Sequence, residues 1–291
     1  MQHPDYNSPI ALKNFMDENN MAMQKKFGQN FLVNADARKK LIDVLDVKPG
    51  MKVWEVGPGL GSMTSGLLER GVNLTVFEID HGFARLLTQF FEEYANSGNF
   101  SLVEGDVLKT WPKFAKENDI PERFFGNLPY NVAATIIADT ITKGFRFDKA
   151  VFTIQKEVGQ RMNAKPGTED YSSFSVLCQW AYDVKPVMDL AGGNFWPVPN
   201  VASRAVLMTK KEDFPKCENP EFFRKMVRQI FALRRKTLRN NLSRFVKAEI
   251  CDEALKIAGI EPSIRAENLS VEDLLKLSDA LNSVIEKTKM E

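Results

Sequence analysis

From about residue 36 the apolar residues alternate between two patterns, helical spacing and short unbroken runs. Ala37 to Leu45 carries apolar positions at helical spacing, and Pro49-Gly50 ends it. Lys52-Val-Trp-Glu-Val56 then reads as a buried strand. Leu74-Thr-Val-Phe-Glu78, Phe100-Ser-Leu-Val103, a run led by Phe124-Phe125 that ends at Asn127, and Ala150-Val-Phe-Thr-Ile154 read the same way. Candidate helices near 62–70, 82–95 and 132–142 lie between them. Short apolar strands separated by helices predict a parallel sheet covered on both faces, with its sites at the carboxyl ends of the strands. Val184 to Leu190 and Ala202 to Thr209 are expected to complete the sheet.

Beyond about 212 the strand signals stop. Asn219-Pro220 is a helix start, a capping residue followed by proline at the first helical position. Ser270-Val-Glu-Asp273 resembles a capping box ahead of Leu274, Leu275 and Leu277. The expected organisation is an α/β domain over 25–211 and a small all-helical domain over 212–291. Residues 1–24 are polar without a clear period and are expected to form a flexible tail, a short helix around Ile10 to Asp17 being the alternative.

Composition narrows the classes. Of 291 residues 44% are hydrophobic and 26% charged, which supplies a sizeable core and argues against wholesale disorder. Cys178, Cys217 and Cys251 are far apart and odd in number, unlike a disulfide framework or a zinc knuckle. They suit a reducing cytoplasm. No apolar run approaches the roughly 18 residues needed to span a bilayer, and the polar start is no signal peptide. A soluble, monomeric protein without membrane contact is expected.

Glu55-Val-Gly-Pro-Gly-Leu-Gly61 follows the first strand and opens a helix. Its glycines let the backbone turn sharply and approach a ligand closely. Glu78 ends the second strand, where a carboxylate can accept both hydroxyls of a ribose. Asp106 follows the third, placed to accept from an adenine amino group. The spacing is G-x-G-x-G, without the third glycine of the dinucleotide fingerprint. That favours S-adenosylmethionine, which has no pyrophosphate, over a dinucleotide; a plain strand-to-helix turn is the bland alternative.

Asn127-Leu-Pro-Tyr130 ends the fourth strand beside the same crevice. An exocyclic adenine amine is a poor nucleophile because its lone pair is delocalised into the ring. Acceptors for its two protons, here the Asn127 side-chain oxygen and the Leu128 carbonyl, would localise that pair. Pro129 fixes the turn, and Tyr130 offers a face on which an extruded base can stack. Phe195, in the Pro-stiffened Phe195-Trp-Pro-Val-Pro-Asn-Val201, could close the other face or be a half-buried loop aromatic. His3 and His81 belong to no catalytic constellation.

The net charge of +1 hides an asymmetry. Phe222 to Lys247 holds nine basic residues and no acidic one, leaving the remainder at −8. In one continuous helix Arg224, Arg228, Arg235 and Arg239 would share a face. Arg234 and Lys236 would add density, making a phosphate-contacting surface or a solvated helix face.

Lys26-Phe-Gly-Gln-Asn-Phe-Leu32, Glu55 to Gly61, Gly126-Asn-Leu-Pro-Tyr130, Gln155-Lys-Glu157, Phe195 to Val201 and Arg234-Arg-Lys-Thr-Leu-Arg-Asn-Asn-Leu242 occur in one order. Over roughly 25–285 this set resembles the ribosomal RNA adenine dimethyltransferases of the KsgA type. The resemblance implies a Rossmann-like, S-adenosylmethionine-dependent methyltransferase domain with a helical RNA-binding domain, S-adenosylhomocysteine being the product. It implies cofactor contacts from Gln29, Asn30, Leu32, Gly57, Glu78 and Asp106, with Gly59, Ile79 and Val107 beside them. Asn127 would be shared with the acceptor, and Leu128, Pro129, Tyr130 and Phe195 would surround the target base. Arg224, Arg228, Arg234, Arg235, Lys236 and Arg239 would hold RNA. The implied reaction is dimethylation of N6 on two adjacent adenosines near the 3′ end of small-subunit RNA in an immature 30S subunit, a step of ribosome biogenesis. The alternative is a large-subunit enzyme of the macrolide-resistance type. Those relatives tend to carry Asn-Ile-Pro-Tyr, and Arg265-Ala-Glu-Asn-Leu269 also points to the first family. The segment before Lys25 is longer than usual there, and Trp196 stands where several relatives differ.

Overall fold

In the computed structural model residues 2–23 and 28–290 are described. Lys26 and Phe27 of the expected motif, and the expected domain start at 25, lie outside them. The chain divides into two compact units, residues 1–159 with 184–210, and residues 160–183 with 211–291.

The first unit is built on a seven-stranded sheet. Its first two strand segments are β1 (Phe31–Leu32), which lies outside that sheet, and β2 (Lys52–Val56). Then follow β3 (Asn73–Glu78), β4 (Phe100–Glu104), β5 (Arg123–Asn127) and β6 (Lys149–Gln155). β7 (Tyr182–Leu190), β8 (Phe195–Trp196) and β9 (Ser203–Lys210) come last. The sheet order is β4-β3-β2-β5-β6-β9-β7, while β1 pairs antiparallel with β8 in a separate ribbon. β2 is parallel to both β3 and β5, and β9 runs antiparallel to β6. Strands paired on both sides and covered on both faces need apolar side chains throughout. That is why Val53, Trp54 and Val56 are all buried. The chain moves outward from β2 through β3 to β4, then returns to β5 on the other side of β2. This reversal opens a crevice beyond the carboxyl end of β2.

Side-chain caps start several helices of this unit. Asn34 caps α2 (Ala35–Leu45), following α1 (Pro9–Glu18). Gly61, at φ 88°, leads into α3 (Ser62–Leu68). Asp80 caps α4 (His81–Phe90), and α5 (Glu92–Asn96) follows. Asp106 caps α6 (Val107–Glu117), a helix the sequence pattern does not predict because Pro112 sits inside it. α7 (Ala133–Thr142) is the expected helix of that region.

Two expectations about domain organisation are corrected. Residues 2–23 are not simply a tail and hold the short helix that was the alternative. Ser8 caps α1 and Pro9 begins it. Leu12 and Met16 are buried with Phe31, Leu60 and Phe83 in one apolar cluster, and Tyr6 Oη donates to the Leu60 carbonyl at 2.9 Å. Nor is the α/β unit continuous over 25–211, because residues 160–183 belong to the second unit. There α9 (Ser173–Ala181) contributes Val176 and Trp180 to a core shared with α10 (Pro220–Ile230), α11 (Leu238–Leu242), α12 (Ala248–Ala258) and α13 (Val271–Met290). The intervening α8 (Lys156–Met162) spans the division at 159. Asn219 caps α10 as expected, and Ser270 and Asp273 bond reciprocally as a capping box.

Candidate active site

The crevice at the strand reversal is a cavity of about 300 Å³, large enough for a small organic ligand. The end of β2 supplies Gly57 and Gly59, the end of β3 Glu78 and Ile79, and the turn after β4 Asp106 and Val107. Asn127, Leu128, Pro129 and Tyr130 follow β5, and Gln29, Asn30 and Leu32 approach from the N-terminal side. Nearly every residue expected to bind cofactor or acceptor is therefore gathered around one space.

Two glycines are required by space as well as conformation. Gly57 has φ +73°, and a Cβ there would lie 2.9 Å from the Asn127 carbonyl oxygen. Gly59 has φ +57°, and its Cβ would meet the Phe31 ring at 2.6 Å. The loop thus exposes backbone where a side chain would fill the cradle.

Glu78 is buried at the floor. Its oxygens accept from Gly59 N at 3.2 Å and Asp80 N at 2.8 Å. Burial pushes its carboxyl up to about 7, against those backbone hydrogen bonds. Glu55, 1% exposed, accepts from Thr64 Oγ1 at 2.7 Å. Burial and the neighbouring Glu78 push it up to about 8. The cavity therefore holds two carboxyls that a cationic ligand would draw toward ionisation. Ile79 leaves 43% of its surface open beside Asp106, an apolar platform next to a polar edge. Asp106 Oδ1 accepts from Leu108 N at 3.0 Å, so one of its oxygens is occupied in capping α6.

The Asn127 side chain is held at both ends. Nδ2 donates to the Asn30 carbonyl at 2.7 Å, and Oδ1 accepts from Thr153 Oγ1. The Leu128 side chain is buried, so only its backbone can serve a ligand. Tyr130 and Ser203 hydroxyls are hydrogen-bonded, and burial raises the Tyr130 phenol above its usual range. Phe195 departs from expectation. It is 2% exposed, lies in the core cluster with Leu32, and is absent from the cavity lining. Pairing of β1 with β8 places it opposite Leu32 and turns it inward, while its neighbour Trp196 stacks on Phe31.

The basic segment of the second unit also departs from a single helical face. α10 ends at Ile230, and α11 begins at Leu238, so Arg234, Arg235 and Lys236 lie in a loop between two helices. Nor is the charge wholly uncompensated. Arg239 pairs with Asp252 at 2.6 Å, Lys225 with Glu221 at 2.7 Å, and Arg234 donates to the Glu169 carbonyl. Arg228, Arg235 and Lys236 are exposed, and Arg224 is half-buried.

Sequence reasoning gave no role to Thr153, Glu55 or Tyr6. A threonine and a glutamate within otherwise apolar strands were the available signals for the first two.

A glycine cradle, a carboxylate at the end of the adjacent strand and an open apolar platform define a nucleoside-cofactor enzyme of the α/β methyltransferase class. A family model described as ribosomal RNA adenine dimethylase matches residues 20–283, and the chain belongs to that family. It is 46% identical over 282 residues to ribosomal RNA small subunit methyltransferase A of Treponema denticola, covering 96% of each chain. It is 38% identical to the protein of that name from Borreliella burgdorferi, again over 96% of each. A solved dimethyladenosine transferase from Plasmodium falciparum shares the fold, with a TM-score of 0.74 at 24% identity, covering 86% of this chain and 97% of that one. The chain is an S-adenosylmethionine-dependent methyltransferase, and the cradle, the Glu78 carboxylate and the Ile79 platform suit that cofactor. Among the described residues no cluster could hold a metal ion, and no helix is long and apolar enough to cross a membrane.

Proposed function

We propose that the protein dimethylates N6 of two adjacent adenosines near the 3′ end of small-subunit ribosomal RNA, in a partly assembled 30S subunit in the cytoplasm, acting as a monomer. The observation that carries this reading is that Asn127-Leu-Pro-Tyr130 opens on the same cavity as Gly57, Glu78 and Asp106. The relatives matched over nearly their whole length carry the small-subunit name, which favours that target over a large-subunit one.

In this reading Glu78 holds the ribose hydroxyls, and the backbone at Gly57 and Gly59 lets the ligand approach. S-adenosylmethionine supplies an electrophilic methyl group when bound. Asn127 Oδ1 has a second lone pair beyond that used by Thr153, and it accepts one proton of the adenine amine. The Leu128 carbonyl accepts the other, so the nitrogen lone pair is directed out of conjugation. Pro129 fixes the turn between them, and Tyr130 supports the extruded base. Arg224, Arg228, Arg234, Arg235 and Lys236 contact phosphates and position the RNA without reading its sequence; Arg239 contributes less because Asp252 neutralises it.

The test is incubation of immature small subunits with the protein and labelled S-adenosylmethionine, followed by mass spectrometry of the adenosines. N6,N6-dimethyladenosine at two neighbouring positions near the 3′ end is expected. Methylation confined to naked large-subunit RNA would replace this target with the resistance-type one.

A further inference from the structure

We propose that Thr153, on the strand beside the acceptor motif, is a positioning residue for methyl transfer, acting by fixing the Asn127 carboxamide. The inference rests on the acceptor-site reading of Asn127 given above. Thr153 is the register partner of Asn127 in the parallel β5–β6 pair and is 0% exposed. A buried hydroxyl needs a partner. Its Oγ1 donates to Asn127 Oδ1 at 2.5 Å, and its carbonyl accepts from Leu128 N at 3.1 Å. One residue therefore holds the Asn127 side-chain oxygen directly and, through the Leu128 N–H, the backbone at the peptide just before the Leu128 carbonyl.

The orientation of the amide follows from its partners. The Asn30 carbonyl can only accept, so Nδ2 faces it and Oδ1 faces the Thr153 hydroxyl. The Asn30 bond comes from a segment outside the main sheet. The Thr153 bond comes from within it, on β6, paired on one side with β5 and on the other with β9. The sheet is the stiffer support, and an acceptor that must meet a proton in the transition state gains from rigid support. Without the hydroxyl, Oδ1 loses the restraint that aims its remaining lone pair. Substrate binding depends on many other contacts, so the loss falls on turnover rather than on KM.

Valine and serine separate this role from packing. Thr153→Val keeps shape and strand preference and removes the donor; Thr153→Ser keeps the donor and removes the methyl group. Both variants are assayed with S-adenosylmethionine and immature small subunits for kcat and KM, by calorimetry for cofactor Kd, and by thermal melting. Thr153→Val is expected to lower kcat roughly tenfold to a hundredfold, with KM and cofactor Kd within about twofold and Tm not reduced. Thr153→Ser is expected to regain most of kcat in spite of a lower Tm. Should the valine protein not fold, Thr153→Ala against Thr153→Ser makes the same comparison. Activity that follows Tm instead of the hydroxyl, or a valine variant with wild-type kcat, overturns the inference. Asn127→Ala is run alongside. Near-normal turnover in that variant defeats the acceptor-site reading itself, whereas an inactive Asn127→Ala beside a fully active Thr153→Val defeats only the role of Thr153.

Discussion

Replacing Glu55 with glutamine removes a carboxyl that the fold keeps from ionising, and the effect on stability has a definite sign and pH window. In the folded protein burial pushes this group up to about 8, against 4.5 for an ordinary glutamate carboxyl. A raised acid pKa means that the folded state holds its proton more tightly than the unfolded state does. Glu55 therefore costs nothing well below pH 4.5, and its cost grows as pH rises until it levels off above pH 8. Linkage over that interval gives a loss of about 3 kcal/mol between pH 5.5 and pH 8.5. Glutamine at this position can still accept from Thr64 Oγ1, so the hydrogen bond survives the exchange. The assay is denaturant unfolding of the ligand-free protein at both pH values, followed by fluorescence of the buried Trp54 and Trp111. The wild type should lose several kcal/mol more than Glu55→Gln on going from pH 5.5 to 8.5. Parallel losses in the two proteins would refute the claim that a buried, tightly protonated Glu55 shapes the pH response.

Other predictions concern the same unit and its neighbour. Glu78, titrating near 7, should make S-adenosylmethionine binding tighten from pH 6 to pH 8 with net proton release, visible as a buffer-dependent calorimetric heat; Glu78→Gln should flatten that dependence and weaken binding by about 1.5–3 kcal/mol. Gly59→Ala should weaken cofactor binding, since φ +57° and the Phe31 ring both oppose a Cβ, and unchanged Kd by calorimetry would contradict the cradle. Tyr6→Phe should lower stability by about 1 kcal/mol through the lost bond to Leu60, measured by chemical denaturation. Arg235→Ala should weaken RNA binding and reduce its salt dependence more than Arg239→Ala does, as read from filter-binding titrations at several salt concentrations.

The parallel core was legible because strands buried on both faces leave unbroken apolar runs, and β2, β3, β5 and β6 follow those runs closely. The cofactor crevice was legible for the same reason, since the motifs sit at strand ends and the strand order brings those ends together. What escaped depended on partners distant in sequence. α6 was hidden by Pro112, although Trp111 in the same helix is buried and bonds to Asp139 of α7. A two-residue ribbon such as β1–β8 has no period to detect, yet it decides that Phe195 faces the core. The basic stretch looked uncompensated because Asp252 lies outside it in sequence while meeting Arg239 in space. The helix of residues 9–18 was legible only as an alternative to a tail, because the cluster that holds Leu12 and Met16, with Phe15 packed against it, is assembled from residues such as Phe31, Leu60 and Phe83.

Neither unit is a continuous stretch of chain, and this matters for a protein emerging residue by residue from its own synthesis. When the first 159 residues have appeared, β6 still lacks the neighbour that β9 will provide, so the growing sheet presents a bare apolar margin. Residues 160–183 come next, but Tyr171, Val176 and Trp180 must wait for the helices from Pro220 onward before they can be covered. The nascent chain thus carries two unfinished surfaces at once. β9 closes the first of these and the helices from Pro220 onward cover the second, which makes the interval before they appear the period most open to misassembly.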